Sequence, residues 1–326
     1  MKPPRAERAA APGPELAVGR IVASHGRQVE VLTADGTRLP CRLHGRRISA
    51  VCGDRVRWAH AQPGDSFGTV YEILPREHTL ERLTSQGDRE PVVSNLTQLV
   101  AVIAPRPTPD WFIVDRYLAG AAWCGISAVV AFNKAELGVS ADAEAELDCY
   151  ALQGYRILRA SSRGAPGIAA LAECLKDSVS VLVGQSGTGK SSLLNALVPE
   201  ARAVTQEISA ATEEGRHTTT HSVLHHLSTG GDLIDSPGVR DFAPPLPQAR
   251  DVASGFIEIA TAAAGCRFQD CLHASEPGCA VRDAVARGTI RSRRFDSFRR
   301  LLGLAREMND RFPSRRGGGR PPPRAR

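Results

Sequence analysis

The chain has 326 residues, of which 42% are hydrophobic and 23% charged, with a net charge of +6. That composition excludes a fibrous or low-complexity protein and allows two or three globular domains. No apolar run reaches the roughly 18 residues that a membrane span needs. The N-terminal MKPPRAERAAAPGPE lacks the apolar core of a signal peptide. The expectation is therefore a cytoplasmic protein without a membrane partner, with a disordered head over residues 1–14.

Residues 15–76 contain short alternating apolar runs separated by turn signals, among them Ala34-Asp35-Gly36 and Gly53-Asp54. About five strands in some sixty residues predict a small closed barrel, of which the OB-fold is the commonest five-stranded form. The segment holds 9 Arg against 6 acidic residues, which suits nucleic acid on one face as well as a barrel that merely packs on its neighbour. Residues 77–98 read as a linker and entry segment. From residue 99 strands and helices alternate: LVAVIA, the helical WFIVDRYLAGAAWCG, AVVAFNK, the helical ADAEAELDCYALQG, YRILRAS, and a helix near 167–177. With strands at 218–227 and 231–238, this predicts a doubly wound α/β domain over 77–248. Residues 249–312 read as mostly helical around a Cys/His knot, and 313–326 as a basic disordered tail.

The chemistry centres on Gly184-Gln185-Ser186-Gly187-Thr188-Gly189-Lys190-Ser191, followed by Ser192. This matches the phosphate-loop pattern GxxxxGK[ST] without mismatch. The glycines let backbone N–H groups turn inward onto phosphate oxygens. Lys190 offers a cation to the β- and γ-phosphates, Ser191 a hydroxyl to Mg2+, and the following helix its N-terminus. Asp235-Ser236-Pro237-Gly238 closes a second apolar strand. There Asp235 can hold Mg2+ through water and the Gly238 N–H can sense the γ-phosphate. Between them, Gly215-Arg216-His217-Thr218-Thr219-Thr220 suits a switch segment. A guanine-reading [NT]KxD motif would normally come after DxxG, but Lys190 is the last lysine of the chain. The one candidate lies upstream: Asn133-Lys134-Ala135-Glu136, with Ser161 and Ser162 ending the next strand beside it. The base loops come first, then the phosphate loop, then the switches, so the order is circularly permuted. Val239 occupies the place where Ras-like enzymes carry a water-orienting Gln, which leaves His217 or a partner to position the attacking water.

Of eight Cys, Cys41, Cys52, Cys124, Cys149 and Cys174 are scattered, which is not a disulfide framework. Cys266, Cys271, His273 and Cys279 fall within 14 residues and form a complete Cys3His set, expected to hold one structural Zn2+. Residues 281–326 hold 14 Arg against 4 acidic residues, so +10, and the other 280 residues sum to −4. Such an end suits a polyanionic partner or a merely solvated tail.

Taken together, the barrel with its GDRVRW stretch, NKAE, GQSGTGKSSLLN, GRHTTT, DSPGVRDF and the Cys/His knot resemble the RsgA family, the circularly permuted GTPases of small-subunit assembly. The likeness spans about residues 15–312. It implies a permuted P-loop GTPase domain flanked by an N-terminal OB-fold barrel and a C-terminal helical zinc-binding domain. It also implies GTP/GDP with Mg2+ as ligands, and the small (30S) ribosomal subunit with its 16S rRNA as partner. The expected activity is slow intrinsic GTP hydrolysis by a monomer, stimulated by the subunit in late maturation, with the GTP state controlling binding and release. Glu136 stands where the family carries Asp, and Thr188 where Val is usual. The other readings are a nucleotide-gated rRNA-binding factor with little turnover and a P-loop ATPase or kinase.

Overall fold

The computed structural model describes residues 15–45, 48–60, 65–84, 86–162, 165–199, 222–236, 239 and 244–311. The expected tails at 1–14 and 313–326 lie outside these residues. The first five strands are β1 (Ala17–His25), β2 (Gln28–Leu32), β3 (Arg38–Leu43), β4 (Arg55–His60) and β5 (Gly68–Ile73). They close in the order β1-β2-β3-β5-β4-β1, the OB arrangement expected from the alternating pattern. Alternation is cleanest in β3, where Leu39, Cys41 and Leu43 point inward onto Val31, Val56, Trp58 and Val70. Gly68 is required there: a Cβ would lie 2.7 Å from the Cys41 sulfur.

Residues 77–98 are not a linker. β6 (Thr79–Leu83) and β7 (Arg89–Ser94) form an antiparallel hairpin. Its Leu80 and Val93 are fully buried in the core shared with the α/β domain. The hairpin turns between Thr84 and Asp88, joined by an Asp88 N–H to Thr84 hydroxyl bond of 3.1 Å. Neither TLERL nor REPVVS alternates cleanly, and the register shifts between Leu80 and Glu81, so the period-two signal was weak.

The α/β domain continues with β8 (Gln98–Ile103), α1 (Trp111–Trp123), β9 (Ser127–Phe132), α2 (Ala141–Leu152), β10 (Arg156–Arg159), α3 (Ala165–Leu175), β11 (Val179–Val183), α4 (Lys190–Leu197), β12 (Ser222–His226) and β13 (Asp232–Asp235). The sheet order is β10-β9-β8-β11-β13-β12, parallel except for β12. Every residue of β8 is buried, as a central parallel strand between helix layers requires. The order reverses between β8 and β11. An open α/β sheet forms its ligand crevice at such a switch point, outside the carboxyl ends of the strands. β12 then pairs with β1 through Ala23↔Val223 and Ser24↔Ser222, so barrel and α/β domain share one eleven-stranded sheet. An Arg20–Asp232 ion pair of 2.5 Å reinforces the junction.

The C-terminal part comprises a 3-10 segment (Ala249–Gly255), α5 (Ile257–Ala263), α6 (Ala280–Ala286) and α7 (Ser292–Arg311). Phe256, Ile259, Val281, Phe298 and Leu301 form its core, together with Ala119 from α1. Gly255 permits the close approach, since a Cβ there would lie 2.7 Å from the Cβ of Ala119. The joint is polar as well. Asp115 on α1 is fully buried and accepts from Tyr150 Oη at 2.6 Å, Arg293 Nη1 at 2.7 Å and Arg294 Nη1 at 2.6 Å. Glu146 and Glu258 complete the pairing of the two arginines. No helix among the described residues is long and apolar enough to cross a membrane.

Candidate functional site

The phosphate loop leaves β11 with Gly184 at φ +147°, Gly187 at +81° and Gly189 at +94°, conformations that L side chains rarely adopt. Close packing adds a second demand. A Cβ on Gly184 would lie 2.2 Å from the Val102 carbonyl oxygen, and one on Gly189 2.3 Å from Asn133 Nδ2. Lys190 opens α4 and donates from Nζ to the carbonyls of Gly184 at 2.5 Å and Gln185 at 2.8 Å. Thr188 is fully buried and donates its hydroxyl to the Gln185 carbonyl at 3.0 Å. That hydroxyl bond, which a Val could not make, braces the loop from within.

The loop after β9 is tied directly onto this one. Asn133 is fully buried and donates from Nδ2 to the Thr188 carbonyl at 2.8 Å. Lys134, held at φ +56°, donates from Nζ to the carbonyls of Gly187 at 2.6 Å and Arg106 at 2.8 Å. The Asn133 Oδ1 is shielded from water and has no donor among the described residues. Leaving a buried carbonyl oxygen in that state costs free energy, and an N–H donor in the groove would relieve it. Glu136 lies exposed in the following 3-10 turn (Ala135–Leu137). The Ala135 N–H reaches the Ala160 carbonyl at 3.2 Å, which brings the Ser161–Ser162 turn beside the Asn133 loop.

Lys134, Ser186, Gly187, Gly189, Lys190, Ser191 and Ser192 line one groove of about 380 Å³. That lies within the usual range for a small-molecule site, about 300–1,000 Å³. Beside it, Lys190, Ser191 and Asp235 line a smaller pocket together, so the cation, the hydroxyl and the carboxylate expected at Mg2+ converge. Ser236 is locked by a 2.7 Å bond from the Ser222 hydroxyl. Val239 is fully buried in the core, so its side chain packs and does not approach phosphate. Gly238, His217 and the threonines at 218–220 lie outside the described residues. The sequence reading missed the loop after β8, where Arg106 contributes its carbonyl to Lys134 and the Asp110 N–H donates to Gln185 Oε1 at 2.9 Å. Its position at the end of a strand adjoining β11 was the available clue.

The four candidate zinc ligands also come together. All their ligand atoms lie within 4.8 Å of one another. The Cys266 and Cys279 sulfurs each stand 3.5 Å from His273 Nδ1 and 4.0 Å from each other. Tetrahedral zinc, with Zn–S of about 2.3 Å and Zn–N of about 2.0–2.1 Å, sets ligand separations of roughly 3.5–3.8 Å, so the set fits. Burial lowers the pKa of His273 and keeps the ring in the neutral form that ligation needs. The Glu276 carboxylate accepts from the N–H groups of Leu272, Ala274 and Ser275 at 2.8–3.0 Å and shapes the loop around His273.

A phosphate loop on the central strand, a base loop stapled to it and an acidic strand end beside it define a P-loop nucleotide hydrolase. With the base loop encoded first and a barrel placed ahead of it, the class is a circularly permuted one. The sequence pattern of the RsgA GTPase family matches residues 73–244. The "Small ribosomal subunit biogenesis GTPase RsgA" of Chromohalobacter salexigens is 42% identical over 296 residues, covering 89% of this chain and 86% of that protein. Its counterpart in Pseudomonas aeruginosa is 41% identical over 300 residues, with 91% and 88% covered. Among solved structures, YjeQ from Thermotoga maritima has a TM-score of 0.71 at 28% identity, covering 89% of this chain and 99% of its own. YloQ, described as a circularly permuted GTPase, has a TM-score of 0.69 at 25% identity, with 92% and 98% covered. The chain belongs to the RsgA GTPase family.

Proposed function

We propose that this chain hydrolyses GTP on the small (30S) ribosomal subunit and assists its late maturation. The observation that carries the GTP assignment is the stapling of the base loop onto the phosphate loop by Asn133 and Lys134. One rigid unit then reads the base and grips the phosphates, so a nucleotide with the wrong base is also misplaced for phosphoryl transfer. Backbone N–H groups of Gly184–Gly189 and the Lys190 ammonium hold the phosphates. Ser191 and Asp235 hold Mg2+, which when bound neutralises charge between the β- and γ-phosphates. Asn133 and Glu136 bind the guanine edge, with Ser161 and Ser162 at its far side. With the Val239 side chain committed to the core, orientation of the attacking water falls to His217 or to the subunit. Intrinsic turnover is accordingly slow and rises on the subunit.

The barrel and the arginine-rich helical module face 16S rRNA, the GTP state setting the grip and hydrolysis releasing it. Zn2+ held by Cys266, Cys271, His273 and Cys279 is structural, since four protein ligands leave no open position. The protein acts as a monomer in the cytoplasm. The test is phosphate release from GTP and from ATP, with and without purified small subunits. Stimulation by at least ~10-fold with GTP alone is expected, the equivalent of about 1.4 kcal/mol off the barrier. Equal stimulation with ATP would overturn the guanine assignment. GTP binding with no stimulated turnover would leave a nucleotide-gated rRNA-binding factor.

A further inference from the structure

The arginines at the joint between α1 and α7 fall into two groups. Arg293 and Arg294 are neutralised by Asp115, Glu146 and Glu258. Arg116 and Arg300 have no carboxylate partner among the described residues. Phe112 and Arg116 lie four residues apart on α1 and so share a face. Arg300 comes across from α7 and lays its guanidinium over the Phe112 ring, 3.8 Å from the centroid. Arg116 Nε is shielded from water and meets no acceptor among the described residues. Burial first, opposed by Tyr117 and aided by the positive charge of Arg300, weakens the hold of Arg116 on its proton.

Two neighbouring guanidiniums, one partly desolvated and neither paired with a carboxylate among the described residues, cost free energy until an anion completes them. The guanidinium fork matches phosphate oxygens in pairs, and its plane stacks on aromatic rings, as Arg300 does here. The flank of the site continues the same charge: α7 carries six Arg against three acidic residues, and Arg299 and Arg300 are exposed. At the same, N-terminal end α1 begins beside the phosphate loop, through the Asp110 N–H bond to Gln185 Oε1.

We propose that Arg116 and Arg300, with Phe112 as the stacking platform, form a binding site for backbone phosphate of RNA at the joint of α1 and α7. The site rests on the reading of an RNA-rich partner and adds to it a specific point of contact. That point lies on the helix whose first residues touch the phosphate loop, so RNA held there bears on the nucleotide groove.

The test uses the full-length protein with a non-hydrolysable GTP analogue. Two double variants are compared with wild type: Arg116→Gln with Arg300→Gln, and Arg116→Lys with Arg300→Lys. Binding to a short RNA duplex and to purified small subunits is measured against KCl concentration. Each lost phosphate contact lowers the slope of log affinity against log salt by about 0.7–0.9, so the Gln pair should lose roughly 1.4–1.8 and the Lys pair little. Intrinsic GTP turnover should not change, since neither residue lines the groove. Arg116→Gln alone should melt no lower than wild type, because it removes a partly desolvated charge, and a lower melting point would mark a structural role and overturn the proposal. An unchanged salt slope in the Gln pair would overturn it too. Millimolar inorganic phosphate that raises the melting point of wild type but not of the Gln pair, with RNA binding unaffected, would mark a free-anion site and refute the RNA assignment. If wild type fails to bind subunits while the duplex result holds, the subunit reading fails and the phosphate site stands.

Discussion

Removing the Asp115 carboxylate tests whether the helical module is held to the α/β domain by charge pairing. Asp115 is fully buried and accepts three bonds of 2.6–2.7 Å, from Tyr150, Arg293 and Arg294. Breaking a buried pair from one side costs about 3–5 kcal/mol, because the remaining charge is left uncompensated. Here compensation is partial. Glu258 keeps Arg294 through bonds of 2.6 and 3.0 Å, and Glu146 keeps Arg293 through one of 2.7 Å. The expected loss for Asp115→Ala is therefore at the lower end, about 3 kcal/mol. At a urea slope of about 2 kcal/mol/M that moves the unfolding midpoint by about 1.5 M. Tryptophan fluorescence is a suitable probe: Trp111 lies 6.0 Å from the Arg293 guanidinium, and the Trp123 indole packs against Gly255. The control is Arg291→Ala, which removes a 44%-exposed side chain bonded to Glu146 at 3.2 Å and should cost no more than about 0.5 kcal/mol. An Asp115→Ala protein that unfolds no earlier than the Arg291→Ala protein would refute the argument.

Asn133→Ala removes the buried tie to the Thr188 carbonyl, worth about 1–1.5 kcal/mol, and should weaken binding of a fluorescent GTP analogue by roughly five- to ten-fold. Cys271→Ser should abolish metal content measured by elemental analysis and open the segment containing α5 to α7 to protease, while the barrel stays protected. Burial pushes the Cys41 thiol up to about 11 and the Cys52 thiol up to about 12. Both are therefore protonated at about pH 8, and mass spectrometry after brief alkylation there should find neither modified until the protein is unfolded.

The parts of the site written as contiguous motifs were legible in the sequence. Phosphate loop, base loop and zinc set each demand particular residue types at fixed short spacing, and the structure gathers the described members of each. The barrel was legible because a half-exposed antiparallel sheet imposes alternation. The hairpin at Thr79–Ser94 was missed because Pro91 and the irregular register after Leu80 interrupt the same alternation. The arginine-rich end was read by charge alone, which did not separate Arg293 and Arg294 from the arginines around them. Their partners Asp115 and Glu146 lie more than 140 residues away, and nothing local distinguishes a buried arginine from a solvated one. The same limit hid the meeting of Arg116 and Arg300 beside Phe112, which only the packing of α7 on α1 reveals.

The short ladder between β1 and β12 also bears on how the chain stays dispersed. Without β1, the β12 edge would present unpaired backbone groups next to Val223 and Leu224, an open template for a second chain. The barrel covers that edge, and Arg38 adds a bond from its guanidinium to the Leu224 carbonyl at 3.4 Å. Truncation to the α/β and helical parts would thus uncover a pairing edge, and such a fragment should self-associate through β12 even with its nucleotide groove intact.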